Sequence, residues 1–428
     1  MATTLALAAA SCSSSDGDGQ SDEAGGTVTI WSWKGPTQGL QEAAKGYQLA
    51  HPEVKIEVTD VGNPAIWTKI TTGMAAGGAG LPDVMNIGVD YIGSYIEKFP
   101  TGLEDLSAKG AAKLEPDFAP GAWASGTGAD GKVYGIPYEV NPAATFYRTD
   151  LFQKAGVDID AIGSWDQLIE AGKTIKAKTG ASLFALDKSA TTSAANYFQT
   201  LMALQDTFYF DEAGKITLDG EKQVKALGLL KKANDLGLVA NVSGNDGAQI
   251  QTGKVPVATM DGPAWMAGSL PESAPEMKGK WGIRKEIPVE TGGSSSAIVG
   301  GTYLSMSATS KHKSAAWDFM QYALGTKEGE QALYKGGGLF PGYLPLLEDP
   351  SFSAPDAYYG GQNPKQLFAS ELKAKSAKLN YTSDYAQALK AYDDAQTAVL
   401  LRNADPATEL QKAAKLVATQ TGRELANG

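Results

Sequence analysis

One stretch limits what this chain can fold into more than any other: Gly131-Lys132-Val133-Tyr134-Gly135-Ile136-Pro137-Tyr138-Glu139-Val140-Asn141-Pro142-Ala143-Ala144-Thr145-Phe146-Tyr147-Arg148. It opens on a glycine turn, becomes apolar, and carries Glu139 and Asn141 just past Pro137. It turns apolar again before Thr149-Asp150-Leu151-Phe152, which reads as a helix start. Two strand-like pieces with a polar break describe a chain leaving one body and entering another, with a ligand against the crossing. Length agrees, because 428 residues, 43% of them hydrophobic, exceed one core; single cores stop growing at roughly 250–300 residues.

Ahead of the crossing, Val28 to Trp33 is β-branched and aromatic, a first strand that Gly35-Pro36 is expected to break. Leu40 to Ala50 is helical, Val54 to Val58 alternates as a strand, and Ile66 to Ala76 is helical again. Leu81 to Ile87 is a third strand, ending near Asp90-Tyr91. This alternation spells an α/β sheet of parallel type. Past the crossing, Ser164 is expected to cap a helix over Trp165 to Lys178. Helices over Thr192 to Leu204 and Lys222 to Leu236 follow, then strands over Gly253 to Met260 and Ala297 to Ser307. The last third is helical, over Leu367 to Ala377, Ser383 to Leu401 and Pro406 to Gln420.

A net charge of −11 argues against nucleic acid as a partner. One cysteine, Cys12, and two histidines, His51 and His312, leave no disulfide framework and no zinc cluster, and no metal or cofactor is expected. Asp211-Glu212-Ala213-Gly214 is too short for a calcium loop and reads as a hairpin turn. Thr4 to Ala10 is apolar but far below the roughly 20 residues that span a bilayer. It ends in Ala9-Ala10-Ser11-Cys12, small residues before a cysteine, as at a bacterial lipoprotein cleavage site. Residues 1–12 are therefore expected to be a lipoprotein signal with Cys12 lipidated, and 13–26 a flexible tether. Met1-Ala2-Thr3-Thr4 lacks the Lys or Arg that opens such a signal, which leaves a start further upstream open. The competing reading is an ordinary secretory signal with an incidental cysteine. Either way an exported protein is expected, and the first reading anchors it to the outer face of the cell membrane.

Gly131 to Pro137, Phe146 to Val157 and Ser164-Trp165-Asp166-Gln167-Leu168 together resemble the extracellular solute-binding proteins of sugar ABC importers. Gly253-Lys254 to Trp265, Gly300-Gly301-Thr302 to Phe319, and Gly337-Gly338-Leu339-Phe340-Pro341 are similar to further blocks of that family, in the same order. Trp31-Ser32-Trp33-Lys34 with Phe146 to Asp150 looks closest to its maltose-, arabino- or lacto-oligosaccharide binders. The resemblance implies a two-lobed, periplasmic-binding-protein-like α/β fold of type II, each lobe a mixed sheet flanked by helices. It implies a ligand cleft between the lobes, hinge closure, and delivery of a sugar or oligosaccharide to ABC permease subunits by a monomer. It places lobe one at 26–140 plus 304–345 and lobe two at 141–303 plus 346–428.

A sugar offers flat C–H faces and an edge of hydroxyls, so rings and planar polar groups suit it. Trp33 and Lys34 end the first strand and Asp90 follows the third, where α/β sheets present ligand groups. Tyr138 and Glu139 lie at the crossing, and Asn141 matches the family's polar ligand contact there. Trp265 resembles a stacking aromatic of the family, although Ala264 holds the position directly after Gly-Pro. Gly301, Thr302 and Tyr303 fit its close backbone approach to ligand, and Tyr392 aligns with a second stacking ring. Two other functions stay open. One is a glycosidase or lyase using a carboxylate pair such as Glu139 and Asp90; the other is a binder of peptides, polyamines or iron.

Overall fold

The computed structural model describes residues 25–189, 196–242, 247–373 and 379–426. Cys12 and nearly all of the expected tether lie outside the described residues. Strand β1 (Gly26–Ser32) buries Val28 and Ile30, and β2 (Val54–Asp60) and β3 (Val84–Gly88) flank it in parallel. Each is followed by a helix: α1 (Lys34–Ala50), α2 (Ala65–Ala75) and α3 (Val89–Lys98). The later strands are β4 (Ile136–Arg148), β5 (Phe184–Leu186), β6 (Val239–Asn241), β7 (Thr259–Pro263), β8 (Trp281–Arg284) and β9 (Ile298–Met306). The main sheet runs β2-β1-β3-β9-β4-β7, with β8 also on β4, while β5 and β6 form a small parallel pair.

Only the pairings at β1 match the expected parallel sheet. From β3 onward every pairing in the main sheet is antiparallel, because β9 returns from far along the chain to sit between β3 and β4. The crossing also differs from two pieces with a break, since Ile136 to Arg148 is one continuous strand. Its pairing to β9 slips between Pro137 and Glu139 and again between Val140 and Pro142. Proline has no N–H to give a ladder, so the register shifts there while the strand continues. Past Pro142, β4 leaves β9 and runs between β7 and β8.

Two smaller expectations also change. Gly35-Pro36 does not end β1 but lies in the first turn of α1, where a missing N–H costs nothing. The strand expected over Gly253 to Met260 falls later, at β7, so Asp261 to Pro263 are strand and Trp265 opens the helix Trp265–Ser273. The Asp211 to Gly214 turn is present, with the Asp211 carboxylate accepting from the Lys215 amide at 2.8 Å. Ser164 caps its helix through the Gln167 amide at 3.3 Å.

Three apolar clusters hold these layers. The largest is continuous from β1 and α1 through β4 to β8 and the helix Pro364–Lys373. A second gathers Phe184, Leu201, Leu227, Tyr392 and Val417 among the helices beyond β4. The third lies beneath α2 and α3, around Ile66, Ile70, Met85, Ile87 and Tyr303. Tyr381 packs against both the second and the third. Asp83 fastens the edge of the first, accepting from Thr29 N at 2.8 Å, Thr29 Oγ1 at 2.7 Å and Ser310 Oγ at 2.6 Å.

Candidate functional site

A cavity of about 820 Å³ opens at the carboxyl ends of β1 and β3, where α1 and α3 begin, and against the middle of β4. Its far flank is the helix Trp265–Ser273, and the Gly337-Gly338-Leu339 turn closes one end. The cavity brings together Trp33, Lys34, Asp90, Glu139, Asn141, Trp265, Gly301 and Thr302, eight residues that the sequence reading put at a ligand site.

On the near flank, rings support one another. Trp33 meets Trp67 edge-on at 5.3 Å between centroids, and Trp67 stacks on Tyr91 at 4.3 Å and 12°. The Trp67 indole N–H donates to Asn63 Oδ1 at 3.1 Å, which fixes the ring's rotation. Trp67 and Asn63 were missed by sequence reasoning, which placed Tyr91 beside Asp90 after the third strand, yet a signal was available. Trp67 begins the helix that follows β2, the same topological place that singled out Trp33 and Asp90. On the far flank Trp265 is 38% exposed and touches no other ring among the described residues. Ser269, Glu272 and Ser273 share its helix and also line the cavity.

The floor is polar and buried. Glu139 on β4 pairs with Thr302 on β9, which pairs in turn with Gly88 on β3. At roughly 4.8 Å per strand, the Glu139 and Gly88 backbones stand about 10 Å apart with Thr302 between them. Asp90 follows two residues later, in the first turn of α3. The chains approach closely here, since a Cβ on Gly301 would lie 2.7 Å from the Glu139 carbonyl oxygen, so only glycine fits. Glu139 is 4% exposed, Asn141 6% and Thr302 5%. Glu139 Oε1, Asn141 Oδ1 and Thr302 Oγ1 have no hydrogen-bond partner among the described residues.

Burial pushes the Glu139 carboxyl up to about 7, against a hydrogen bond from the Asn141 side chain that favours the charged form. Burial likewise raises Asp90 to about 6, opposed by a hydrogen bond from its own backbone. Asp90 keeps one side toward the cavity. Among the described residues Lys34 is the sole basic side chain on the lining, and it is exposed. Among the described residues no group of three His, Cys, Asp or Glu side chains could hold a metal ion.

Three residues expected at the ligand lie elsewhere. Tyr138 is buried in the largest cluster and donates to the Pro36 carbonyl at 3.0 Å, tying β4 to the first turn of α1. Neighbours on a strand face opposite ways, so with Glu139 turned to the cavity Tyr138 faces the core. Tyr303 follows the same alternation beside Thr302 and donates to the Ala122 carbonyl at 2.8 Å. Tyr392 stacks on Phe198 at 3.9 Å and 9° and donates to Gln396 Oε1, deep in the second cluster.

The chain matches the family model described as bacterial extracellular solute-binding protein over residues 32–330. It is 28% identical over 360 residues to the lactose-binding protein of Rhizobium radiobacter, covering 80% of this chain and 81% of that one. It is 28% identical over 321 residues to the arabinooligosaccharide-binding protein of Bacillus subtilis (strain 168), covering 73% of this chain and 72% of that one. Among solved structures, the GacH receptor of Streptomyces glaucescens GLA.O superposes with a TM-score of 0.78 at 23% identity, over 94% of this chain and 100% of the other. That likeness shows the fold, and the receptor was solved both unliganded and with acarbose.

Proposed function

The chain belongs to the bacterial extracellular solute-binding proteins, and from that premise we propose that it captures a saccharide in the cavity and hands it to an ABC permease. The observation that carries the sugar reading is the pairing of ring faces with a buried polar floor whose acceptors have no partner among the described residues. An unpartnered buried polar atom costs ~1–3 kcal/mol, and a sugar's hydroxyl edge removes that cost. The names of the lactose- and arabinooligosaccharide-binding relatives point to the same ligand class.

In this reading Trp33, Trp67 and Trp265 take the C–H faces, and Glu139, Asn141, Thr302, Asp90 and Lys34 take hydroxyls. Gly301 lets β9 lie against the crossing. The lobes are 26–140 plus 304–345 and 141–303 plus 346–428, with β4 and β9 as the hinge strands and the protein acting as a monomer. This division is supported by the change of β4's partners at Pro142. Cys12 carries the lipid that holds the protein on the outer face of the membrane. No described helix is long and apolar enough to cross a bilayer.

Mono- to tetrasaccharides are to be screened by thermal shift. A binder raises the melting temperature by mass action, and a screen without any shift overturns the sugar reading. A bound sugar should also contract the small-angle scattering envelope by closing the lobes, and an unchanged envelope rejects hinge closure. New reducing ends after incubation with oligosaccharides would contradict a purely binding role.

A further inference from the structure

We propose that Glu139 determines specificity in the cavity by exchanging a proton for ligand hydroxyls. Seating a donor pair on Glu139 and Asn141 releases the carboxyl proton to solvent, so that only ligands with two adjacent free hydroxyls at that point bind. The proposal deepens the saccharide reading and rests on it.

The geometry sets the requirement. Asn141 follows Glu139 two residues along the same strand, and its side chain favours the charged form of the carboxyl. The floor presents Glu139 Oε1 and Asn141 Oδ1, acceptors with no donor among the described residues, along with the Thr302 hydroxyl. Once the carboxyl is charged, a ligand group that can only accept leaves both of them buried and unpaired. No cation neutralises Glu139, which makes no ion pair among the described residues. The titratable and charged groups around it are Lys34 from α1, Asp90 and Tyr91 from α3, Glu272 from the helix Trp265–Ser273, and Tyr138 on its own strand. Glu330, from the helix Lys327–Gly337, acts on Tyr138 from behind. A buried, unpaired carboxyl retains its proton near neutrality, consistent with its raised value of about 7. Hydroxyl donors favour the charged form, so the O–H bond of the carboxyl breaks and the proton passes to buffer. Ligand affinity then rises with pH.

The test has two arms, both on the full mature chain. In the first, ¹³C NMR of the glutamate side-chain carboxyls of the unliganded protein follows pH. A resonance titrating near neutrality that persists in Asp90→Asn and vanishes in Glu139→Gln is expected; its absence from the wild type overturns the proposal. In the second, calorimetry with lactose and with an arabinotriose is run in phosphate and in Tris, which differ in ionisation enthalpy. Proton release by the wild type, none by Glu139→Gln, and affinity roughly five- to tenfold tighter near pH 8 than near pH 6 are expected. A saccharide that binds without releasing a proton overturns this proposal and leaves the sugar reading standing. If neither saccharide nor any member of the thermal-shift screen binds, both fall together. A saccharide O-methylated at the contacting hydroxyls should lose binding, and unchanged affinity rejects the donor-pair requirement.

Discussion

The two flanks of the cavity carry the same residue type in opposite mechanical settings. On the near flank Trp33, Trp67 and Tyr91 brace one another, and Trp67 is buried to within 9% with its indole nitrogen held by Asn63. On the far flank Trp265 stands alone, more than a third exposed, on a short helix that contains Pro271. A ring locked by its neighbours keeps its orientation before any ligand arrives, whereas a lone exposed ring is ordered only on contact. In the proposed reading the near flank serves folding as well as binding, and the far flank binding alone.

Truncation should separate them most sharply. Trp67→Ala removes a packed ring and is expected to cost ~3–5 kcal/mol of unfolding free energy in a denaturant titration. A loss below about 1 kcal/mol would mean that the ring ladder does not brace the fold. Charge comes next. Because burial raises Glu139 from 4.5 to about 7, its contribution to stability is fully present below about pH 4.5 and is lost as pH climbs through about 7. Glu139→Gln should therefore be more stable than the wild type above neutrality, by up to ~3 kcal/mol, with the advantage gone in acid. Melting curves across that range decide it, and a pH-independent difference would deny the buried carboxyl its role.

Trp265→Ala should leave the unfolding midpoint nearly unchanged while weakening saccharide binding about tenfold, equivalent to ~1.4 kcal/mol. Equal affinity would take the far flank out of the site. Tyr392→Phe tests the displaced ring: loss of the bond to Gln396 should cost ~1 kcal/mol of stability with affinity untouched, and a drop in affinity would return Tyr392 to the ligand. The smallest effect is expected at the short strap that precedes the helix Tyr385–Arg402, where Asp384 joins Arg423 at 2.7 Å and Lys98 of α3 at 3.6 Å. Asp384→Ala should cost about 0.5–1 kcal/mol, less in high salt, and a salt-independent loss would show that packing around Tyr381 holds the strap instead.

Much of the frame was legible in the residues. Val28 to Trp33, Ile66 to Ala76, the Ser164 cap and the C-terminal helices announce themselves through period and capping chemistry, which are local properties. The floor residues Glu139 and Asn141 were legible too, because two charged or amide side chains inside an apolar run need a reason to be there. Trp67 was overlooked because it lies inside a helical run, in the first turn of α2, and its place beyond the carboxyl end of β2 matters only once β1, β2 and β3 stand side by side.

The sequence by itself determined that strands alternate with helices, that the run from Gly131 to Arg148 is pivotal, and that its one acid, Glu139, sits in apolar surroundings. Only the tertiary structure decided which ring faces which way. Tyr138, Tyr303 and Tyr392 have the composition of ligand contacts, yet each spends its hydroxyl on a neighbour inside the core. Strand alternation sends adjacent side chains to opposite faces, and the direction of the cavity is set by which strands meet at β4. That meeting joins segments far apart in the chain, so no local pattern of residues carries it.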